Sequence, residues 1–150
     1  YVAPWVALIH AVDSLALLQE IDKQGQRCNR IIPCLLQVHI ATEETKFGLS
    51  PAEASALAAD PAVAHLKFVA VRGLMGMATF TSDEKLIRSE FRGLRQLFDA
   101  LKTSVLPANI RMEVLSMGMS ADAAIAAAEG STMVRIGTAI FGERPKKQPA

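Results

Sequence analysis

Five short apolar runs, separated by stretches of helical periodicity, set the tightest limit on how this chain can fold. The runs are Val6 to His10, Ile31 to Ile40, Leu66 to Met75, Met112 to Ser116 and Thr132 to Ile136. Each is nearly continuous in apolar residues, the pattern of a strand covered on both faces. Between them lie helix signals. Asp13 or Ser14 can cap a helix carrying Leu15, Leu17, Leu18 and Ile21, with Gly25 as its stop. Ser50-Pro-Ala-Glu53 is a capping box with proline at the first helical position. Ser82-Asp-Glu opens the longest helix, where Leu86, Ile87, Phe91, Leu94, Leu97, Phe98, Leu101 and Val105 form one apolar stripe. A shorter helix runs from Ser120 to Glu129 and is stopped by Gly130.

A βα unit repeated four times, with a closing strand, gives a parallel α/β sheet with helices outside it. Two architectures fit, an open doubly wound sheet and a (β/α)₈ TIM-type barrel. Five strands are too few to close a barrel, but they make the carboxyl-terminal five-eighths of one. A chain of 150 residues has room for one domain, residues 1–150, and no linker divides it. Residues 143–150, where Arg144, Lys146 and Lys147 sit among prolines, read as a disordered tail. The chain begins at Tyr1, without methionine and almost directly in a strand-like run, as the remainder of a longer protein would.

Composition removes several classes of function. A formal net charge of +1 implies neither nucleic acid nor an anionic membrane as partner. No apolar run approaches the roughly 20 residues of a membrane span, and no signal peptide opens the chain. Two cysteines, Cys28 and Cys34, give no disulfide framework, so a reducing cytoplasm is the default. The histidines and cysteines lack metal-ligand spacing, and nothing resembles a nucleophile-base pair or a P-loop.

The chemistry gathers in the last third. Leu115-Ser-Met-Gly-Met-Ser120 and Gly130-Ser-Thr-Met-Val-Arg-Ile-Gly-Thr-Ala-Ile-Phe-Gly142 are apolar runs ending in glycine and hydroxyl residues. Such ends let backbone N–H groups approach an anion, and a helix starting at Ser120 would add its positive end. In a (β/α)₈ barrel the common phosphate site lies in the loops after the seventh and eighth strands. Those loops would here be 116–120 and 137–142. Arg135 stands inside an apolar strand, where a guanidinium needs acceptors. The plainer alternatives are a carboxylate partner for Arg135, a strand end at Ser116 and a helix cap at Ser120. His10 and His39 fall at strand ends and read first as satisfied or exposed histidines. Methionines 75, 77, 117 and 119 read as core filler, and Cys34 as an inert buried thiol.

Six stretches carry a resemblance: Ile-His-Ala-Val-Asp-Ser (9–14), Leu-Leu-Gln-Val-His-Ile (35–40), Glu-Glu-Thr-Lys-Phe-Gly (43–48), Arg-Gly-Leu-Met-Gly-Met (72–77) and the two carboxyl-terminal motifs. Together they resemble the YggS/PROSC family of pyridoxal-phosphate homeostasis proteins, whose fold is that of the alanine racemase amino-terminal domain. The resemblance implies a cytoplasmic, non-catalytic carrier of pyridoxal 5′-phosphate (PLP), monomeric when full length, with PLP-dependent apoenzymes as partners. It makes Ser116 and Ser120 phosphate ligands, has Gly137 and Thr138 donate from the last turn, and sets Arg135 against the pyridine nitrogen. Arginine can only donate, so that nitrogen must offer its lone pair, which makes the ring a weaker electron sink. The family's Schiff-base lysine belongs to a first strand that this chain does not contain, and Lys46 falls in a different motif. His39 stands where the family usually has asparagine. The rival function is a PLP-dependent amino-acid racemase. That chemistry needs a base on each face of the substrate carbon, one of them a tyrosine from a second domain in alanine racemases, and the chain has only Tyr1. A third expectation is that a sheet with two open edges folds poorly by itself or binds nothing.

Overall fold

A computed structural model describes residues 1–43 and 47–143. In chain order it contains β1 (Ile9–Val12), α1 (Leu15–Cys28), β2 (Ile32–His39), α2 (Pro51–Ala58), α3 (Pro61–Ala64), β3 (Val69–Met77), α4 (Glu84–Thr103), β4 (Ile110–Met119), α5 (Ala123–Ala128), β5 (Met133–Arg135) and α6 (Thr138–Phe141). All four strand pairings are parallel, and the spatial order is β1-β2-β3-β4-β5. A doubly wound sheet reverses direction once, whereas this chain always steps the same way. The winding is that of a barrel wall, and the five strands form an incomplete barrel. Register shifts interrupt every strand pair, and each added residue bends its strand and raises the local twist.

One face of the sheet carries the core. Ile32, Cys34, Leu36 and Val38 of β2 join Val69, Val71 and Leu74 of β3 against Leu18, Ile21, Leu57, Phe91, Leu94 and Phe98 of the helices. By strand alternation Leu35 and Gln37 turn to the other face, which would line the barrel interior. The long stripe of α4 buries Ile87, Phe91, Leu94, Phe98 and Leu101 as its period requires. The capping box of α2 is present with both hydrogen bonds, and Ser14, not Asp13, caps α1.

Several local expectations are corrected. Val2 to Val6 closes a turn, with Val6 N donating to Val2 O at 2.9 Å, so β1 starts only at Ile9. Gly25 does not stop α1, which runs on to Cys28 and ends at Asn29 in the left-handed region. Gly25 is glycine for space, since a Cβ there would lie 2.7 Å from the carbonyl oxygens of Arg30 and Phe68. Val105 leaves the α4 stripe altogether, because the helix ends at Thr103 and this side chain is exposed. β3 and β4 run on to Met77 and Met119, past their expected ends. The helix expected from Ser120 begins at Ala123, so that serine does not open it. Residues 144–150 of the expected tail, and Lys46, lie outside the described residues. Among the described residues no helix is long and apolar enough to cross a membrane.

Candidate functional site

The carboxyl ends of β3, β4 and β5 open into a cleft of about 440 Å³. Ala78 to Thr81 wall it after β3, Met119 to Asp122 after β4, and Arg135, Gly137 and Thr138 at β5, with Ile87 of α4 at the side. Four of the five site residues read from the sequence (Ser120, Arg135, Gly137 and Thr138) thus meet in one cleft. The fifth, Ser116, is wholly buried and reaches it through Arg135.

A bulge aims these groups. Ser116 pairs with Met133 and Met119 with Arg135, so three steps on β4 oppose two on β5. Gly118 takes up the extra residue at φ 97°, and a Cβ there would press within 2.5 Å of Ala126 Cβ. Val134 lies beside Gly118 on the helix side, so its neighbours Met133 and Arg135 turn to the opposite face. There the guanidinium finds acceptors. Arg135 Nη1 donates to Ser116 Oγ at 2.7 Å and to Ser116 O at 3.3 Å, while Nη2 reaches across to Gly76 O on β3 at 3.3 Å. No carboxylate is among these partners. Burial lowers the pKa of Arg135, and the field of Asp122 pulls the other way.

Ser120 ties the last two loops together. Its Oγ accepts from Gly137 N at 3.2 Å and from Ala139 N at 3.3 Å. Two backbone N–H groups therefore converge on a single oxygen at the rim of the cleft. Asp122, buried in the same wall, accepts from Met119 N at 2.6 Å and so shapes the turn that presents Ser120. His10 Nδ1 lies 3.5 Å from Ser116 Oγ, and its pKa is lowered by burial and then by Arg135. His39 Nε2 meets Glu43 O at 3.1 Å and does not line the cleft. Met119 does line it, contrary to its reading as filler, whereas Met75 and Met117 are buried. Cys34 is the inert buried thiol expected, its pKa pushed up to about 12 by desolvation. Among the described residues no group of three or more His, Cys, Asp and Glu converges as a metal site.

Sequence reading missed Glu90. It lies on the buried stripe of α4, three residues after Ile87 and four before Leu94. Its carboxylate accepts from Thr42 N at 2.9 Å, Thr79 N at 2.8 Å and Thr79 Oγ1 at 2.7 Å. One side chain thus holds the loop after β2 and the cleft wall after β3. The signal was present, since a carboxylate on an apolar helical stripe must find donors.

Residues 3–145 match the family described as alanine racemase, N-terminal domain. The chain is 38% identical over 144 residues to a pyridoxal phosphate homeostasis protein of Aquifex aeolicus, covering 96% of this chain and 61% of that protein. It is 37% identical over 142 residues to the protein of the same name from Pseudomonas aeruginosa, covering 95% and 58%. The chain therefore spans less than two thirds of the length of these relatives. Among solved structures it is similar to PipY of Synechococcus elongatus with PLP bound, at 31% identity and a TM-score of 0.79, over 94% of this chain and 63% of that one. An alanine racemase of Clostridium difficile, 16% identical with a TM-score of 0.62 over 91% of this chain and 35% of that one, shares the fold.

Proposed function

The chain belongs to the alanine racemase N-terminal domain family, and from that premise we propose that its cleft holds PLP in the service of PLP homeostasis rather than racemisation. The observation that carries this is the convergence of Gly137 N and Ala139 N on one oxygen, at the rim where the Arg135 guanidinium is held. An anion with several oxygens suits such donors, and a planar heterocycle suits a guanidinium aimed into the same cleft. The donor set fits a phosphate ester of an aromatic aldehyde. Gly137, Thr138 and Ser120 would take the phosphate, Arg135 the ring nitrogen, and Ser116 the task of fixing Arg135. When bound, PLP supplies an electrophilic aldehyde that condenses with amines. Because Arg135 can only donate, it holds a ring nitrogen that has its lone pair free, and such a ring draws electrons weakly.

The grip read from the described residues that line the cleft is one of hydrogen bonds and charge. The names of the relatives in Aquifex and Pseudomonas, and the PLP bound in PipY, support the same reading. We read the role as that of a cytoplasmic carrier, with PLP-dependent apoenzymes as recipients.

Titrating the protein with PLP, followed by absorbance and by competition with inorganic phosphate, tests the site. Saturable binding that phosphate weakens is expected, and absence of binding at pH 8 would sink the cofactor reading. Exchange of the α-proton of alanine in heavy water separates carrier from racemase. Only a background rate is expected, and enzyme-like exchange would reverse the choice.

A further inference from the structure

The Ser116 hydroxyl is wholly buried and has one hydrogen to give. Arg135 Nη1 donates to its oxygen at 2.7 Å and, carrying only donors, cannot receive that hydrogen. Among the described residues, the other polar side-chain atom within hydrogen-bond distance of the hydroxyl is His10 Nδ1, at 3.5 Å. His10 stands on β1, at the far edge of the sheet from Arg135 on β5. Were Nδ1 to carry a proton, it too would donate toward Ser116 Oγ, and the buried hydroxyl would be left without an acceptor. A bare Nδ1 would take that hydrogen.

We propose that His10 is a positioning residue for the cleft: as the neutral ring it takes the Ser116 hydroxyl hydrogen, which turns the serine oxygen to Arg135 and fixes where the guanidinium points. The proposal rests on the reading of the cleft as a PLP site and deepens it. The charged groups facing this relay are Arg135 from β5 and Asp122 from the turn after β4. The inward neighbours Gln37 of β2 and Met75 of β3 do not titrate. Burial and the Arg135 charge both hold the His10 pKa below its ordinary value of 6.5. Protonation converts Nδ1 into a donor, removes the acceptor of Ser116 and sets a second cation beside the guanidinium. The ligand grip then weakens as the pH falls.

The test compares the wild type with His10→Gln, whose amide oxygen accepts the same hydroxyl and never ionises. PLP dissociation constants are measured by fluorescence from pH 8.5 to 5, each protein normalised to its own value at pH 8. The ratio of the two profiles cancels the ionisation of the ligand phosphate, which both share. The wild type is expected to weaken by at least about threefold more than His10→Gln at the acid end, the scale of a moderate His pKa shift. Parallel profiles overturn the proposal. Should His10→Gln not fold, Ser116→Ala breaks the relay while keeping the histidine, and an unchanged acid slope in that variant overturns it equally. Nitrogen-15 shifts of the His10 ring without ligand give a readout free of the cofactor reading. A bare Nδ1 at pH 8 is expected, and a protonated Nδ1 overturns the relay even if PLP binds. Failure of PLP to bind at pH 8 overturns the cofactor reading and leaves the ring shifts to decide the relay.

Discussion

Arg135 serves two strands at once, through Ser116 on β4 and the Gly76 carbonyl on β3, and still faces the cleft. Only a planar fork can do this, because its donors point in fixed and different directions. A lysine keeps the charge but concentrates it on one flexible ammonium. Arg135→Lys is accordingly expected to weaken PLP binding about tenfold, the worth of a lost charge-assisted hydrogen bond, while leaving far-UV circular dichroism unchanged. Unaltered affinity would remove Arg135 from the site. At this scale the sequence was legible in part. An arginine in an apolar strand announced a need for acceptors, and glycine and hydroxyl residues at strand ends announced backbone donors. That the acceptors are a serine and a carbonyl, and that Ser116 lies below the cleft, depends on a bulge at Gly118 that apolar patterning does not record.

At the scale of elements, α4 does more than cover the sheet. Its stripe buries Phe91 and Leu94, and in the same row Glu90 braces two loops that are 37 residues apart in sequence at Thr42 and Thr79. Arg88 and Arg92 on the same helix grip Glu129, just past the end of α5, and hold its carboxyl below the usual range. Replacing Glu90 by alanine takes the acceptor from Thr79 N and leaves Thr42 N with Thr79 Oγ1 alone, at 3.1 Å. A loss of about 1–3 kcal/mol in urea denaturation is expected from the lost hydrogen bonds to a carboxylate, together with weaker PLP binding as the Thr79–Thr81 wall loosens. Full stability in Glu90→Ala would show that water satisfies both loops. Capping signals such as Ser50-Pro-Ala-Glu53 were readable because their hydrogen bonds are local. Gly25 was misread because its reason, the nearby carbonyls of Arg30 and Phe68, comes partly from a distant segment.

For the molecule as a whole, β1 and β5 each have, among the described residues, one paired edge and one free edge. Free edges present unpaired N–H and C=O groups that invite another strand. Expressed as these 150 residues, the protein is expected to elute from gel filtration ahead of its 16.1 kDa monomer or to aggregate, and a monodisperse monomer would show that five strands suffice. The sequence by itself determined the alternation of strand and helix, the parallel sheet and the clustering of anion-binding residues in the last third. These follow from hydrophobic period, caps and turn chemistry, all of which act over a few residues. Tertiary structure alone decided that the strands wind in one direction, that His10 comes beside Ser116 across 106 positions of chain, and that Glu90 reaches the cleft wall. Those outcomes depend on which strands become neighbours and where bulges shift their register, and packing settles both only when the sheet is assembled.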